Sequence, residues 1–162
     1  MSELQHQIEQ FLYYQAALCD NKEWDAYLDT YTEDSTFWIP QWESEYTYVA
    51  DPKKGMSLIY YASRSGLEDR VYRLRTGKSS ASSPLPRTQH QLSNVKLSDI
   101  RDNSLEVTAG WQTNYTRMGR TEMLYGEVKL SLVKVDLDWK IKRKHCVVNN
   151  DIINSVMDFY HV

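Results

Sequence analysis

The second half of the chain constrains the fold most. Over residues 104–115, Leu105, Val107, Ala109, Trp111, Thr113 and Tyr115 recur at every second position. That is the period of a strand with one buried face. Residues 116–120 read as a tight turn, and residues 121–135 as the returning strand, with Val128, Leu130 and Leu132 on one face. Val133 and Val135 are apolar on the opposite parity, which predicts a β-bulge in a strongly curved sheet. Residues 136–138 turn the chain again, and residues 139–148 run back. Long strands joined by tight turns form an antiparallel meander.

The first half has another texture. Ser2 and Gln5 have the spacing of a helix capping box. Leu4, Ile8, Phe11, Leu12 and Cys19 then fall on or near one helical stripe. A second helix is expected after Asn21, with Trp24, Tyr27, Leu28 and Tyr31 on its apolar face. Residues 35–40 and 45–49 are β-branched and aromatic, hence strand-like. Leu67, Val71 and Leu74 return to helical spacing, with Gly77 placed to end that helix. Residues 79–86 read as a Ser/Pro-rich loop. Helices first and strands afterwards give an α+β class. The expectation is a bent antiparallel sheet wrapped around the N-terminal helices, a cone with an internal pocket. With 162 residues and no linker-like stretch, one domain over residues 1–162 is expected.

Charge and cysteine usage narrow the chemistry. Residues 1–51 carry eleven acids and one base, and residues 52–162 carry eleven acids and eighteen bases. A basic run holds Arg64, Arg70, Arg73, Arg75, Lys78 and Arg87 against Glu68 and Asp69. The chain as a whole is acidic and has no nucleic-acid-binding motif, so no nucleic-acid partner is expected. Such a run either forms a solvated face paired with the acidic first third or a protein interface. The aromatic surplus, 12 Tyr and 5 Trp, favours an interface. No apolar run approaches a membrane span and the first residues do not resemble a signal peptide, so no membrane partner and a cytoplasmic location are expected.

Cys19 and Cys146 form no CxxC motif and read as buried small apolar residues. His6, His90, His145 and His161 are never at HxxxH or HxxH spacing, so no local metal site is visible. In the final strand, Trp139, Ile141, Arg143 and His145 share the more apolar face at period two. Arg143 and His145 either line a pocket, with His145 as a general base, or pair with acids of the first third. Asp34, opposite His90 or His145, would suit proton transfer in such a pocket.

A set of motifs along the chain resembles one family. It comprises Ser57-Leu-Ile-Tyr-Tyr61, Leu67-Glu-Asp-Arg-Val71, Arg73-Leu-Arg-Thr-Gly77, Ser83-Pro84, Arg87-Thr88, His90 and Ser93-Asn-Val95. Phe11-Leu-Tyr13, Trp24-Asp25, Glu33-Asp34, Trp38-Ile-Pro40 and Trp139-Lys-Ile141 with Arg143 extend it over nearly the whole length. The chain resembles the small (β) subunit of Rieske-type aromatic-ring-hydroxylating dioxygenases, and within them the anthranilate/benzoate branch. The resemblance implies a cone-like fold similar to nuclear transport factor 2. It implies a large (α) subunit as partner, three large with three small, the large one carrying the Rieske 2Fe–2S cluster and a mononuclear iron. A reductase, acting transiently, would supply electrons from NADH. The assembled enzyme would dihydroxylate an aromatic carboxylate, anthranilate first and benzoate second. This chain would hold no cofactor, metal or obligatory catalytic residue, and would serve assembly. Arg70, Arg73, Arg75, Arg87 and His90, from the matching segment, are the interface candidates. Asp34, Arg143 and His145 are the pocket candidates. The rival reading is a free-standing isomerase or dehydratase on the same fold using His90, His145 and Asp34. A third is a module that binds a planar molecule in an aromatic pocket.

Overall fold

The computed structural model describes residues 2–77, 79 and 82–162. Lys78 of the basic run, and Ser80 and Ala81 of the expected loop, lie outside the described residues. The elements in order are α1 (Glu3–Asp20), α2 (Trp24–Asp29), β1 (Tyr31–Pro40), β2 (Ser57–Tyr61), α3 (Arg64–Arg75), β3 (Arg87–Ser98), β4 (Ser104–Arg117), β5 (Arg120–Val135) and β6 (Asp138–Val148). A 3-10 turn, Phe159–His161, ends the chain.

The strands form one sheet in the order β2-β1-β6-β5-β4-β3. The meander is as expected. β4 and β5 pair without interruption from Ser104↔Val133 to Arg117↔Arg120, around a two-residue turn in which Met118 and Gly119 both have positive φ. That is the turn geometry that suits the twist of a hairpin. The sheet is antiparallel except at one place: β1 lies parallel to β6. The inner face carries Leu105, Val107, Leu124, Val128, Leu130 and Leu132, all buried, and closes on the buried stripe Ile8, Leu12 and Leu18 of α1.

Four local expectations change. Ser2 does cap α1, its hydroxyl accepting from Gln5 N at 3.1 Å, but the Gln5 side chain turns to Glu9 and to the Val95 carbonyl instead of closing the box. Asn21 ends α1 rather than starting α2, whose N-cap is Glu23 without a side-chain bond. Residues 45–49 form no regular strand. They fold back so that Trp42 bridges Tyr48, and the strand that pairs with β1 is β2. The bulge belongs to β6, not β5: Ser131 faces Arg143 and Leu132 faces Ile141, which leaves Lys142 as the extra residue. Val133 stays half-buried and Val135 exposed on the unbroken β5.

Gly126 is required where it stands. A Cβ there would lie 1.9 Å from the Val147 carbonyl oxygen and 3.2 Å from Trp111 Nε1. The indole crosses over this glycine to donate to that same carbonyl at 3.1 Å. α3 ends as its sequence predicts, with Gly77 at φ +67° just past the C-cap Thr76. The C-terminal segment runs extended along the β4–β5 end. Its last four residues, Phe159, Tyr160, His161 and Val162, are buried in the chain's own core.

Candidate functional site

The bulge at Lys142 settles the placement of the β6 side chains. Before it, Ile141 faces inward. After it, Lys144 and Cys146 face inward, opposite Leu130 and Val128, and Arg143 and His145 face outward. Arg143 therefore lies exposed on the outer face, not on the apolar side expected from strict alternation. His145 is buried there by a different route. Trp38 of β1 stacks on its ring at 4.6 Å and 13°, and Tyr48 of the folded-back loop meets it edge-on at 5.8 Å. Burial, with Arg143 and Lys129 nearby, pushes the His145 imidazole down to about 4. Its Nε2 is buried and has no hydrogen-bond partner. Arg143, His145, Trp38 and Tyr60 line an outer groove of about 370 Å³. Asp34 is not part of it. It is exposed on β1, accepts from Thr32 at 2.7 Å and lies 4.0 Å from Lys142.

The inner site is built from α1 and β3. Asp20, at the end of α1, accepts from His90 Nδ1 at 2.5 Å, from His90 N at 3.0 Å and from Thr88 Oγ1 at 2.9 Å. Burial alone would raise this carboxyl, but the bonds from His90 and Thr88 outweigh it and hold it below the usual carboxylate range. His90 thus faces the cone with Asp20 behind it, while Asp34 is elsewhere. A cavity of about 30 Å³ lies at that point, lined by Leu12, Tyr27, Trp111, Lys144 and His90 among others. Lys144 Nζ donates to the Val162 carbonyl at 3.2 Å and sits 5.3 Å over the Phe37 ring. Strict alternation from Arg143 and His145 on the apolar face would put Lys144 on the opposite face, and the bulge turns it inward. Asp20 carried no sequence signal for His90, because the two are 70 residues apart.

The arginine candidates divide. Arg70 is tied internally: Nη2 lies 2.6 Å from Asp158 Oδ2, and the same group donates to Ser79 and Ser82. Arg75 reaches Asp25 at 2.9 Å, and Arg64 reaches Glu33 at 3.8 Å, so part of the basic run does pair with the acidic first third. Arg73 and Arg87 are exposed. Large apolar groups are exposed as well, among them Tyr46, Met56, Tyr72, Ile152 and Val156. Such a surface suits burial against other chains.

The iron and the 2Fe–2S cluster implied by the resemblance do not fit these side chains. Among the described residues no three of His, Cys, Asp and Glu converge as a metal group. Burial pushes the Cys19 and Cys146 thiols up to about 12, the environment of small apolar core residues. No helix among the described residues is long and apolar enough to cross a membrane.

A curled six-stranded sheet closed on helices, with an almost filled interior and an aromatic, arginine-bearing surface, defines an α+β cone fold. Comparison with known proteins gives the family. The model of the family described as "Ring hydroxylating beta subunit" matches residues 14–155. The anthranilate 1,2-dioxygenase small subunit of Acinetobacter baylyi is 49% identical over 160 residues, covering 99% of this chain and 98% of that one. A crystal structure of the beta subunit of benzoate 1,2-dioxygenase from Burkholderia mallei superposes with a TM-score of 0.80 at 35% identity, covering 96% and 95% of the two chains. The fold extends further, to a Novosphingobium aromaticivorans chain assigned as a scytalone dehydratase, with a TM-score of 0.66 at 15% identity over 93% and 89%. The chain belongs to the ring-hydroxylating beta-subunit family. It is a small subunit of the aromatic-ring dioxygenase class.

Proposed function

We propose that this chain, as one domain over residues 1–162, is the small subunit of a cytoplasmic terminal oxygenase that dihydroxylates anthranilate, with benzoate as second choice. The near full-length identity to an anthranilate 1,2-dioxygenase small subunit carries this reading. Three copies assemble with three large subunits. The large subunit holds the Rieske cluster and the mononuclear iron, and a reductase delivers electrons from NADH. The chain's own part is assembly. Arg73, Arg75 and Arg87 reach the neighbouring chains from the surface, while Arg70 and His90 hold the same segment from inside. Arg143 and His145 offer the outer groove to a neighbour, and Asp34 stands on the β1 rim.

Co-expression with the neighbouring large-subunit gene tests the reading, followed by light scattering, iron analysis and turnover of anthranilate against benzoate. A hexamer whose iron is confined to the large chain, and which prefers anthranilate, is the expected outcome. A particle that ignores the large subunit, or metal-free turnover by this chain alone, would move it to the free-standing enzymes of the same fold. Replacing Arg73 and Arg75 with Ala is expected to dissociate the hexamer at micromolar concentration, since removing one partner of a buried interfacial charge pair costs roughly 2–5 kcal/mol. An unchanged mass would remove these two arginines from the interface.

A further inference from the structure

The loop between β1 and β2 is built to project. Trp42 bridges Tyr48 at its base, the two rings meet edge to face at 5.5 Å, and Trp42 Nε1 donates to the Val148 carbonyl at the end of β6 at 2.7 Å. Its tip is a hydrogen-bonded turn, in which Glu43 N donates to Thr47 O at 2.8 Å and Ser44 N to the same oxygen at 3.1 Å. Glu43, Glu45 and Tyr46 stand exposed on that tip, Tyr46 by 93%. No Lys, Arg or His occurs from residue 23 to residue 52. The loop is thus an acidic peg, ordered in advance, with one aromatic ring at its end. A ring held in this way loses little freedom on burial, and tyrosine is a common anchor of protein interfaces.

The same chain carries a surface complementary to that peg. A groove of about 230 Å³ lies between the β4–β5 hairpin and the C-terminal segment. Met118 and Val156, 76% and 72% exposed, give it apolar surface, and Arg117 and the 74% exposed Arg120 line it. Arg87 lies exposed next to Pro86 of the groove wall. The one carboxylate in the lining, Glu122, is engaged within the groove: it accepts from Tyr115 Oη at 2.8 Å and from Asn154 Nδ2 at 3.1 Å, and lies 3.4 Å from Arg120. We propose that the Glu43–Tyr46 tip of one copy docks in this groove on the next copy, with the Tyr46 ring against Met118 and Val156 and the two glutamates facing Arg87 and Arg120. Peg and groove share no residue, so the contact runs head to tail and either closes into a ring or continues as a filament. Closure at three rests on the assembly reading above, which this contact deepens by naming the surfaces that join small chain to small chain.

The test uses the full chain, alone and co-expressed with the large subunit. A peg variant carries Glu43→Lys and Glu45→Lys, and a groove variant carries Arg87→Glu and Arg120→Glu. All four side chains are exposed, so both variants are expected to keep the wild-type circular dichroism. Each alone sets like charges against each other and is expected to weaken the contact between small chains about tenfold or more by sedimentation. An equal mixture pairs each native surface with a native one and each reversed surface with a reversed one, and is expected to recover the wild-type particle. Recovery is peculiar to a contact between copies. Variants that both keep the wild-type mass, or a mixture that does not recover, would overturn the proposal. Tyr46→Cys with Val156→Cys gives a second measurement, since Cys19 and Cys146 are buried and do not compete. Oxidation of the assembled double variant is expected to give a covalent trimer of small chains on a non-reducing gel, and neither single variant is expected to give one. A disulfide from Tyr46→Cys to the large subunit, or none, would overturn the proposal. A small-chain ring that forms but ignores the large subunit would instead sink the dioxygenase reading and leave this contact standing.

Discussion

Asp158 is expected to be the residue on which closure of the C-terminal segment turns. Its carboxylate is 5% exposed and does three things at once. Oδ2 lies 2.6 Å from Arg70 Nη2 and accepts from Arg70 Nε at 2.8 Å, while Oδ1 accepts from Phe159 N at 2.9 Å to start the 3-10 turn. The Asp158 backbone N donates to His161 Nδ1 at 2.9 Å, closing the turn from the other side. Asp158→Asn keeps the size and the acceptor for Phe159 N but removes the charge. Arg70 is only a fifth exposed, so its guanidinium is left largely desolvated without a counter-charge. Breaking a buried pair in this way costs about 3–5 kcal/mol. The partial exposure of Arg70 puts the expected loss near the lower end, about 3 kcal/mol. For a domain of this length that corresponds to a Tm lower by roughly 6–12 °C. The assay is thermal and urea unfolding of Asp158→Asn, Arg70→Met and the double variant. A coupling of about 2–3 kcal/mol between the two sites is expected. A Tm change under about 2 °C for the single variant, or losses that simply add, would refute the claim that this pair holds the tail in the core.

Acid should weaken the fold before the carboxylates titrate. His145 and His161 are both pushed down to about 4, chiefly by burial. Between about pH 6.5 and 4 the unfolded chain therefore binds more protons than the folded one, and stability falls as the pH drops through that window. The loss is at most roughly 3 kcal/mol per histidine, and it flattens below about pH 4. Asp20 adds a second loss lower down, as its depressed folded value is crossed. Urea midpoints across pH 4–8 measure the first effect, and a flat profile would contradict it. Trp38→Ala should expose the His145 ring and return its titration toward 6.5 by NMR. Gly126→Ala forces a Cβ to within 1.9 Å of the Val147 carbonyl, so β6 must move and the Trp111 bond must lengthen. A loss of about 2 kcal/mol or more is expected, and an unchanged urea midpoint would show that the sheet gives way more easily than its packing implies.

The parts of the fold that announce themselves in sequence are those whose burial repeats. β4 shows its inner face because six alternate residues all turn inward, and α1 shows its stripe for the same reason. What stays hidden depends on a neighbour far along the chain. Residues 45–49 have strand composition, yet the free side of β1 is taken by β2, and Tyr48 of the loop packs edge-on against His145 instead. The parallel pairing of β1 with β6 joins residues more than a hundred positions apart, and no local pattern encodes it. At the inner site His90 was legible as a candidate, but its partner was not. Asp20 reads locally as the end of a helix, and only the curl of β3 against α1 brings it within reach. Asp34, nearer the aromatic cluster in sequence, lies on an exposed stretch of β1.

The extra residue in β6 shows how a single insertion can assign chemistry to the two sides of a sheet. Without it, alternation from Ile141 would carry Arg143 and His145 inward and turn Lys144 and Cys146 out. An arginine head inside the cone would need several acceptors for its five N–H groups. The inner wall offers little but aliphatic carbon and aromatic faces. Lysine is the easier basic residue to admit. Its stem can lie along apolar neighbours, and its compact head is met by one carbonyl and the face of Phe37. The bulge therefore leaves the guanidinium of Arg143 in solvent and sets His145 beneath Trp38 beside it, while Lys144 joins His90 in the lining of the inner cavity. The outer groove beside Arg143 and His145 and the inner cavity beside Lys144 are separated by the thickness of one sheet. Lys142 is the residue that decides which side chains belong to each.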